Sequence, residues 1–301
     1  MRRWSRSHGD PAAGGRFEVH QSWPSRHVAP RRVVVWLPPG YDAPGAPPHA
    51  VLYMHDGQNL FDPASSTAGE PWGVATHVVA LMQAGRMRPT MVVAVWNTAH
   101  RWAEYAPTAA LGLLSPALHA LAIEGGVAHG EAFESLADRY LRFIVEELKP
   151  EIDRRYRTRP DADDTAVAGS SMGGLISLYA LACHPEVFGA AGCLSTHWPV
   201  TVNPALLRLP GDPLLAPIAA TYRAWLAEAL PMAGRHRLYF DHGDRHLDAL
   251  YAPFQQAIDQ LAIARRYRAG VDWLSLGFPG ADHNESAWRS RLARPLAFLL
   301  P

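Results

Sequence analysis

Lysine is nearly missing from this chain. Lys149 is the single example among 28 basic residues, and the other 27 are arginine. With alanine and proline abundant, that bias reads as base composition of the coding sequence, so arginine richness carries no functional weight. Net charge is missing too, because 28 acidic residues balance the 28 basic ones. Binding through phosphate neutralisation calls for a basic excess or stripe, which argues against nucleic-acid binding. A neutral surface also has no long-range field to gather anionic membranes or charged polymers. Cysteine is down to Cys183 and Cys193, ten residues apart in apolar runs and without Cys-x-x-Cys or Cys/His zinc spacing. A disulfide framework and a zinc site are thereby disfavoured, leaving two small buried side chains in a reducing compartment. No apolar run approaches bilayer-spanning length, and the opening residues lack the apolar stretch of a signal peptide. The expectation is a soluble, cytoplasmic protein. Oligomeric state has no signature in the chain.

What is present is core-forming material: 301 residues, 48% of them hydrophobic. That excludes a disordered chain and suits one large α/β domain or two ordinary ones. Residues 1–15 are polar and rich in Gly, Arg and Ala, and read as a flexible tail. Short β-type runs follow at 16–23 and 31–37, the second closed by Pro38-Pro39-Gly40. Continuous apolar runs at 51–54, 91–96, 165–168, 189–194, 237–240 and 271–276 suit strands covered on both faces. Between them lie helical patterns. Phe133, Leu136, Tyr140, Ile144 and Leu148 form one apolar stripe, which Pro150 should end or kink, and 216–230, 249–267 and 285–300 behave likewise. Strands alternating with helices predict an α/β fold: a mostly parallel central sheet, helices on both faces, and an antiparallel β-meander at its N-terminal edge. No repeat or linker divides residues 16–301, which read as a single domain. The apolar, aperiodic stretch 108–130 is either a buried connection with one short helix or, within 101–130, a flap over a substrate pocket.

Gly169-Ser170-Ser171-Met172-Gly173 places Gly-x-Ser-x-Gly directly after a strand and before a helical pattern. Glycines there permit a tight strand-to-helix turn that lifts the Ser171 hydroxyl above the sheet edge, a nucleophile elbow. A serine hydroxyl needs a base, and the base needs a carboxylate, in the chain order Ser, Asp, His for this arrangement. His283 lies in the loop between the last strand and last helix, where the base belongs. Asp241, Asp244 and Asp248 all follow the strand at 237–240. Asp248 is favoured as the acid because several loop residues give it reach, and Asp244 is second. His242, Asp244 and His246 lack a spaced further ligand and read as a polar turn, so no metal is implied. The oxyanion hole calls for the Met172 N–H and one from the loop His55-Asp56-Gly57-Gln58-Asn59, at Gly57 or Gln58. No cofactor is implied.

These residues resemble the putative-esterase family of α/β-hydrolases, which includes esterase D, feruloyl and acetylxylan esterases, enterochelin esterases and mycolyltransferases. The resemblance runs from about Arg16 to Leu300. It rests on Arg32-Val33-Val34-Val35-Trp36-Leu37-Pro38-Pro39-Gly40-Tyr41, on His55-Asp56-Gly57-Gln58-Asn59-Leu60-Phe61, on Arg101 with Glu104-Tyr105-Ala106-Pro107, and on the elbow. His283-Asn284-Glu285 with Trp288 and Arg291 closes it. It implies an α/β-hydrolase fold and a serine esterase nearest the enterochelin-esterase-like branch. In many relatives the acid lies three residues after the turn's glycine, where this chain has His246. Phe240-Asp241-His242-Gly243 with Leu247-Asp248 and Tyr251 resembles the branch's own version and supports Asp248. Trp198 is expected to wall the substrate pocket, and Arg101 either faces the leaving group or pairs with Glu104. A small uncharged, siderophore-type or hydroxycinnamoyl-type ester would be the substrate. An acyltransferase using the same triad with an alcohol acceptor, or a silent binding module of the same fold, are the alternatives.

Overall fold

The structure, a computed structural model, describes residues 2–3, 14–123, 133–199 and 215–301. Nine strands form one sheet among these residues: β1 (Arg2–Arg3), β2 (Arg16–Trp23), β3 (Arg31–Leu37), β4 (Ala50–Met54), β5 (Thr90–Val95), β6 (Thr165–Ser170), β7 (Ala190–Leu194), β8 (Arg237–His242) and β9 (Trp273–Gly277). Their spatial order is β1-β2-β3-β5-β4-β6-β7-β8-β9. Pairings from β1 to β3 and from β3 to β5 are antiparallel, and every pairing from β5 to β9 is parallel. The N-terminal meander therefore edges a parallel sheet.

The apolar runs alternate between two cores because successive strand side chains point to opposite faces. Val33, Val35, Val51, Tyr53 and Val167 join one core cluster, while Val34, Trp36, Leu52, Met54 and Ala168 join the other. Burial on both sides is why these strands read as unbroken hydrophobic runs. Helices α1 (Val74–Gln83), α2 (Arg101–Tyr105), α3 (Thr108–Leu111), α4 (Pro116–Ile123), α5 (Ala137–Arg142), α6 (Lys149–Arg155), α7 (Met172–Cys183), α8 (Leu215–Ala229), α9 (Ala252–Ala264), α10 (Glu285–Arg291) and α11 (Ala293–Leu299) cover them. Strand order reverses at β4, with β5 on one side and β6 on the other. In open α/β sheets the crevice outside the strands' C-terminal ends at such a switch is where ligands bind.

Several sequence expectations are corrected. Pro150 does not end its helix: a π-helical turn, Phe143–Leu148, joins α5 to α6, and Pro150 falls in the first turn of α6, where no intrahelical N–H is required. The helix expected over 249–267 begins only at Ala252, after a 3₁₀ segment, His246–Leu250, and the last helix breaks in two at Leu292. Strand β9 starts at Trp273, and Val271 is exposed. Cys193 is buried, but Cys183 is exposed because α7 ends there; both thiols are free. Of residues 101–130, α2 to α4 are described and 124–130 lie outside the described residues, as does most of the 1–15 tail. Ala110 and Leu111 of α3 are buried, and the Ala109 N–H reaches the Tyr179 hydroxyl on α7. No helix among the described residues is long and apolar enough to cross a membrane.

Candidate active site

Five loops leave the C-terminal ends of β4, β6, β7, β8 and β9, and together they build the site. At the end of β6, Ser171 has φ 57° and ψ −122°, in a region that non-glycine residues rarely occupy. Its backbone is over-determined: the Ser171 N–H donates to Leu194 O at 2.9 Å, and its carbonyl accepts from the Leu175 and His197 amides. A Cβ at Gly169 would stand 2.8 Å from the Gly173 carbonyl carbon, so that glycine is compulsory for the turn. Gly173 is looser, with nothing nearer than 3.4 Å. The Tyr251 hydroxyl is paired with His197 Nδ1 at 2.9 Å.

Tyr251 also packs edge-on against the His283 ring, centroids 5.7 Å apart. His283 Nδ1 lies 2.5 Å from Asp248 Oδ1. Asn284 fixes the loop by capping α10, its side chain accepting from the Ala287 N–H at 2.9 Å. The Asp248 side chain is fully buried. Burial alone would raise its pKa, but hydrogen bonding and charge from His283, then the Ser195 hydroxyl and Gly243 N–H, hold it below the usual carboxylate range. Asp244 instead lies on the exposed rim and accepts from the Gly280 N–H at 2.8 Å. His242, Asp244 and His246 engage Gly243 O, Gly280 N–H and Asp282 respectively, and do not converge. No group of three metal-ligating side chains exists among the described residues.

Across the site is the loop after β4. Met172 opens α7, where first-turn amides have no intrahelical acceptor and the helix dipole is positive. Gly57 and Gln58 sit in a buried 3₁₀ turn, Gly57–Asn59. A Cβ on Gly57 would lie 2.7 Å from the Ala94 carbonyl carbon on β5, so any other residue would push the loop off the sheet edge. Asp56, left-handed at φ 53°, anchors it.

Arg101 is the instrument of that anchoring, and it pairs with Asp56 rather than with Glu104. Its Nε and Nη2 each donate to Asp56 at 2.8 Å, and Asn97 Nδ2 adds a third bond at 2.7 Å. Burial opposes the Asp56 charge, yet the Arg101 cation together with the hydrogen bonds from Arg101 and Asn97 outweighs it and keeps the carboxyl below its ordinary range. Glu104 turns inward to Arg31, in a bidentate pair with both side chains 1% exposed. Next to Asp56, His55 is buried with Nδ1 2.8 Å from the Tyr140 hydroxyl. Burial, aided by the Arg101 and Arg31 cations and resisted by Asp56, brings its pKa down to about 4. Sequence reasoning missed His55, Tyr251 and Ser195 as members of the site.

Trp198 lies in the loop that follows β7. It is buried between Tyr222 and Phe240, with its Nε1 donating to Gln255 at 3.1 Å. One edge of it meets a cavity of about 240 Å³ with an apolar lining that includes Ala219, Phe254 and Ile258. Two rings lie beside His197, those of Trp102 and Tyr251, each with its centroid 6.0 Å away.

A family model described as putative esterase matches residues 28–299. The ferri-bacillibactin esterase BesA of Bacillus subtilis is 42% identical over 64 residues, which is 21% of this chain and 22% of that protein. Matches to curated relatives span less than two thirds of those relatives' lengths. Among solved structures, a ferulic acid esterase superposes with a TM-score of 0.61 at 18% identity, covering 95% of this chain and 98% of that one. The enterobactin esterase FES of Shigella flexneri, determined in the presence of 2,3-di-hydroxy-N-benzoyl-glycine, gives 0.63 at 19% identity, covering 97% of this chain and 60% of that one. At these identities the superpositions establish the fold.

Proposed function

The chain belongs to the putative-esterase family, and from that premise we propose that it hydrolyses carboxylic esters through an acyl-enzyme formed on Ser171. The observation that carries the reading is the conjunction of a strained, partly exposed Ser171 at an elbow with a His283 whose Nδ1 is 2.5 Å from a buried Asp248. With Nδ1 engaged by the carboxylate, the imidazole presents Nε2 as the base. Ser171 Oγ attacks the ester carbonyl as His283 takes its proton. The Met172 amide and one from Gly57 or Gln58 hold the developing oxyanion, each worth ~3 kcal/mol of transition-state stabilisation. His283 then protonates the departing alcohol, and water activated by the same imidazole releases the acid. Asp248 keeps the ring in the productive tautomer and stabilises the imidazolium.

For substrate, the reading is an ester with an aromatic acyl group, of the catecholate siderophore or hydroxycinnamoyl kind. Supporting it are the names of the relatives, which act on bacillibactin, enterobactin and ferulate esters, and the Trp102 and His197 rings beside the elbow. A panel of acetyl, butyryl, long-chain, feruloyl and 2,3-dihydroxybenzoyl esters tests it. The expected result is a preference in kcat/KM for the aromatic acyl esters, abolished by Ser171→Ala. A preference for long aliphatic chains would overturn the substrate class, and full activity in Ser171→Ala would overturn the nucleophile.

A further inference from the structure

Beneath Asp248 lies a buried polar group that takes no part in the hydrolytic steps. The Ser195 hydroxyl, in the loop after β7, is fully buried and lies 2.7 Å from Asp248 Oδ2, 2.9 Å from Trp288 Nε1 and 2.8 Å from Arg291 Nη2. An indole N–H and a guanidinium can only donate. Both therefore donate to the Ser195 oxygen, and the one hydroxyl proton has a single acceptor left, Asp248. The Gly243 N–H donates to the same Oδ2 at 2.6 Å, which leaves Oδ1 for His283. The carboxylate is thus fixed in plane by two donors on one oxygen and the imidazole on the other.

The supporting groups are themselves held. Trp288 and Arg291 are three residues apart on α10, so they share a face. Arg291 also donates to Asp241 Oδ1 at 3.1 Å, and the Ser195 N–H donates to the Asp241 carbonyl at 2.8 Å. Ser195 takes φ 42° to stand there. The Trp288 ring meets the His283 ring edge to face at 5.0 Å, so one side chain braces both halves of the pair. Stability is a poor explanation for the arrangement: Arg291 is buried with Nε and Nη1 lacking hydrogen-bond partners among the described residues, and buried ion pairs often cost more than they return.

We propose that Ser195, polarised by Trp288 and Arg291, is a positioning residue that fixes the orientation of Asp248 and through it the base. This inference rests on the assignment of Ser171, His283 and Asp248 as the triad. Its test is a double-mutant cycle on the full chain. Ser195→Gly removes the hydroxyl and tolerates the positive φ; Trp288→Phe removes one donor and keeps a ring against His283. Each is made alone and in an Asp248→Asn background, and read as kcat, KM and the rate of fluorophosphonate inactivation. If Ser195 acts through Asp248, Ser195→Gly lowers kcat and the inactivation rate about 10- to 100-fold, the range seen for groups that orient a directly acting ligand, with KM nearly unchanged. Trp288→Phe gives a smaller loss of the same pattern, and both losses collapse to within about twofold once Asp248 is Asn. Equal losses in both backgrounds, or a Ser195→Gly protein that inactivates as fast as the wild type, would overturn the proposal. If Ser195→Gly fails to fold, Trp288→Phe decides by the same comparison. Failure of the underlying triad looks different: the wild type itself would not be labelled.

Discussion

His55 makes the fold's pH dependence a quantitative matter. The side chain is 3% exposed and bonded through Nδ1 to Tyr140, and its pKa falls from 6.5 to about 4. Between those values the unfolded chain binds a proton that the folded one refuses, so stability must drop as pH falls through that window. At pH 7 neither state carries the proton and the penalty is negligible. Each pH unit crossed inside the window costs about 1.4 kcal/mol, which makes the penalty about 2 kcal/mol by pH 5 and about 3 kcal/mol by pH 4. Urea unfolding at pH 7, 5 and 4 on the wild type and His55→Gln separates this contribution from the many carboxylates that titrate in the same range. The wild type should lose about 3 kcal/mol more than the variant between pH 7 and pH 4. Parallel pH profiles for the two proteins would refute the claim that His55 is held neutral by burial. Because His55 precedes the Asp56 anchor directly, kcat of the wild type should fail before global unfolding does.

The remaining predictions concern the clamp, the acid and the buried pair. Asp248→Asn should cost on the order of 10⁴ in kcat, the loss expected when the imidazole is held in the wrong tautomer. Asp244→Asn, altering an exposed rim residue, should change it by less than about threefold; a larger loss at Asp244 in steady-state ester hydrolysis would reassign the acid. Arg101→Met strips Asp56 of its bidentate partner and should lower kcat by about 10²-fold with little change in KM, the equivalent of one misplaced oxyanion donor; a rise in KM alone would mean Arg101 meets substrate directly. Arg31→Met leaves Glu104 buried and unpaired and should destabilise by about 3–5 kcal/mol in urea titration, with Arg31→Met plus Glu104→Leu recovering most of it.

Much of this architecture was legible in the chain because two-sided burial writes itself as unbroken apolar strands, and the elbow as Gly-x-Ser-x-Gly between a strand and a helix. What escaped has physical reasons. A proline normally stops a helix, but the π turn before Lys149 reset the hydrogen-bond ladder and let Pro150 enter a new first turn. Arg101 and Glu104, three residues apart, looked like partners, yet each found a carboxylate or cation from a distant strand, Asp56 after β4 and Arg31 at the start of β3. Long-range pairing of that kind leaves no local period. Trp288 and Arg291 did leave one, a shared helix face directly after the base. That spacing could have pointed to the support under Asp248, whereas Ser195 could not have been found without the sheet that sets β7 beside β8.

Covalent labelling tests the central claim most directly. Wild-type protein treated with a fluorophosphonate should gain one adduct by intact mass, mapped to the peptide bearing Ser171, absent in Ser171→Ala and slowed in Asp248→Asn. A folded wild type that takes no label, or takes it equally in Ser171→Ala, would contradict the account.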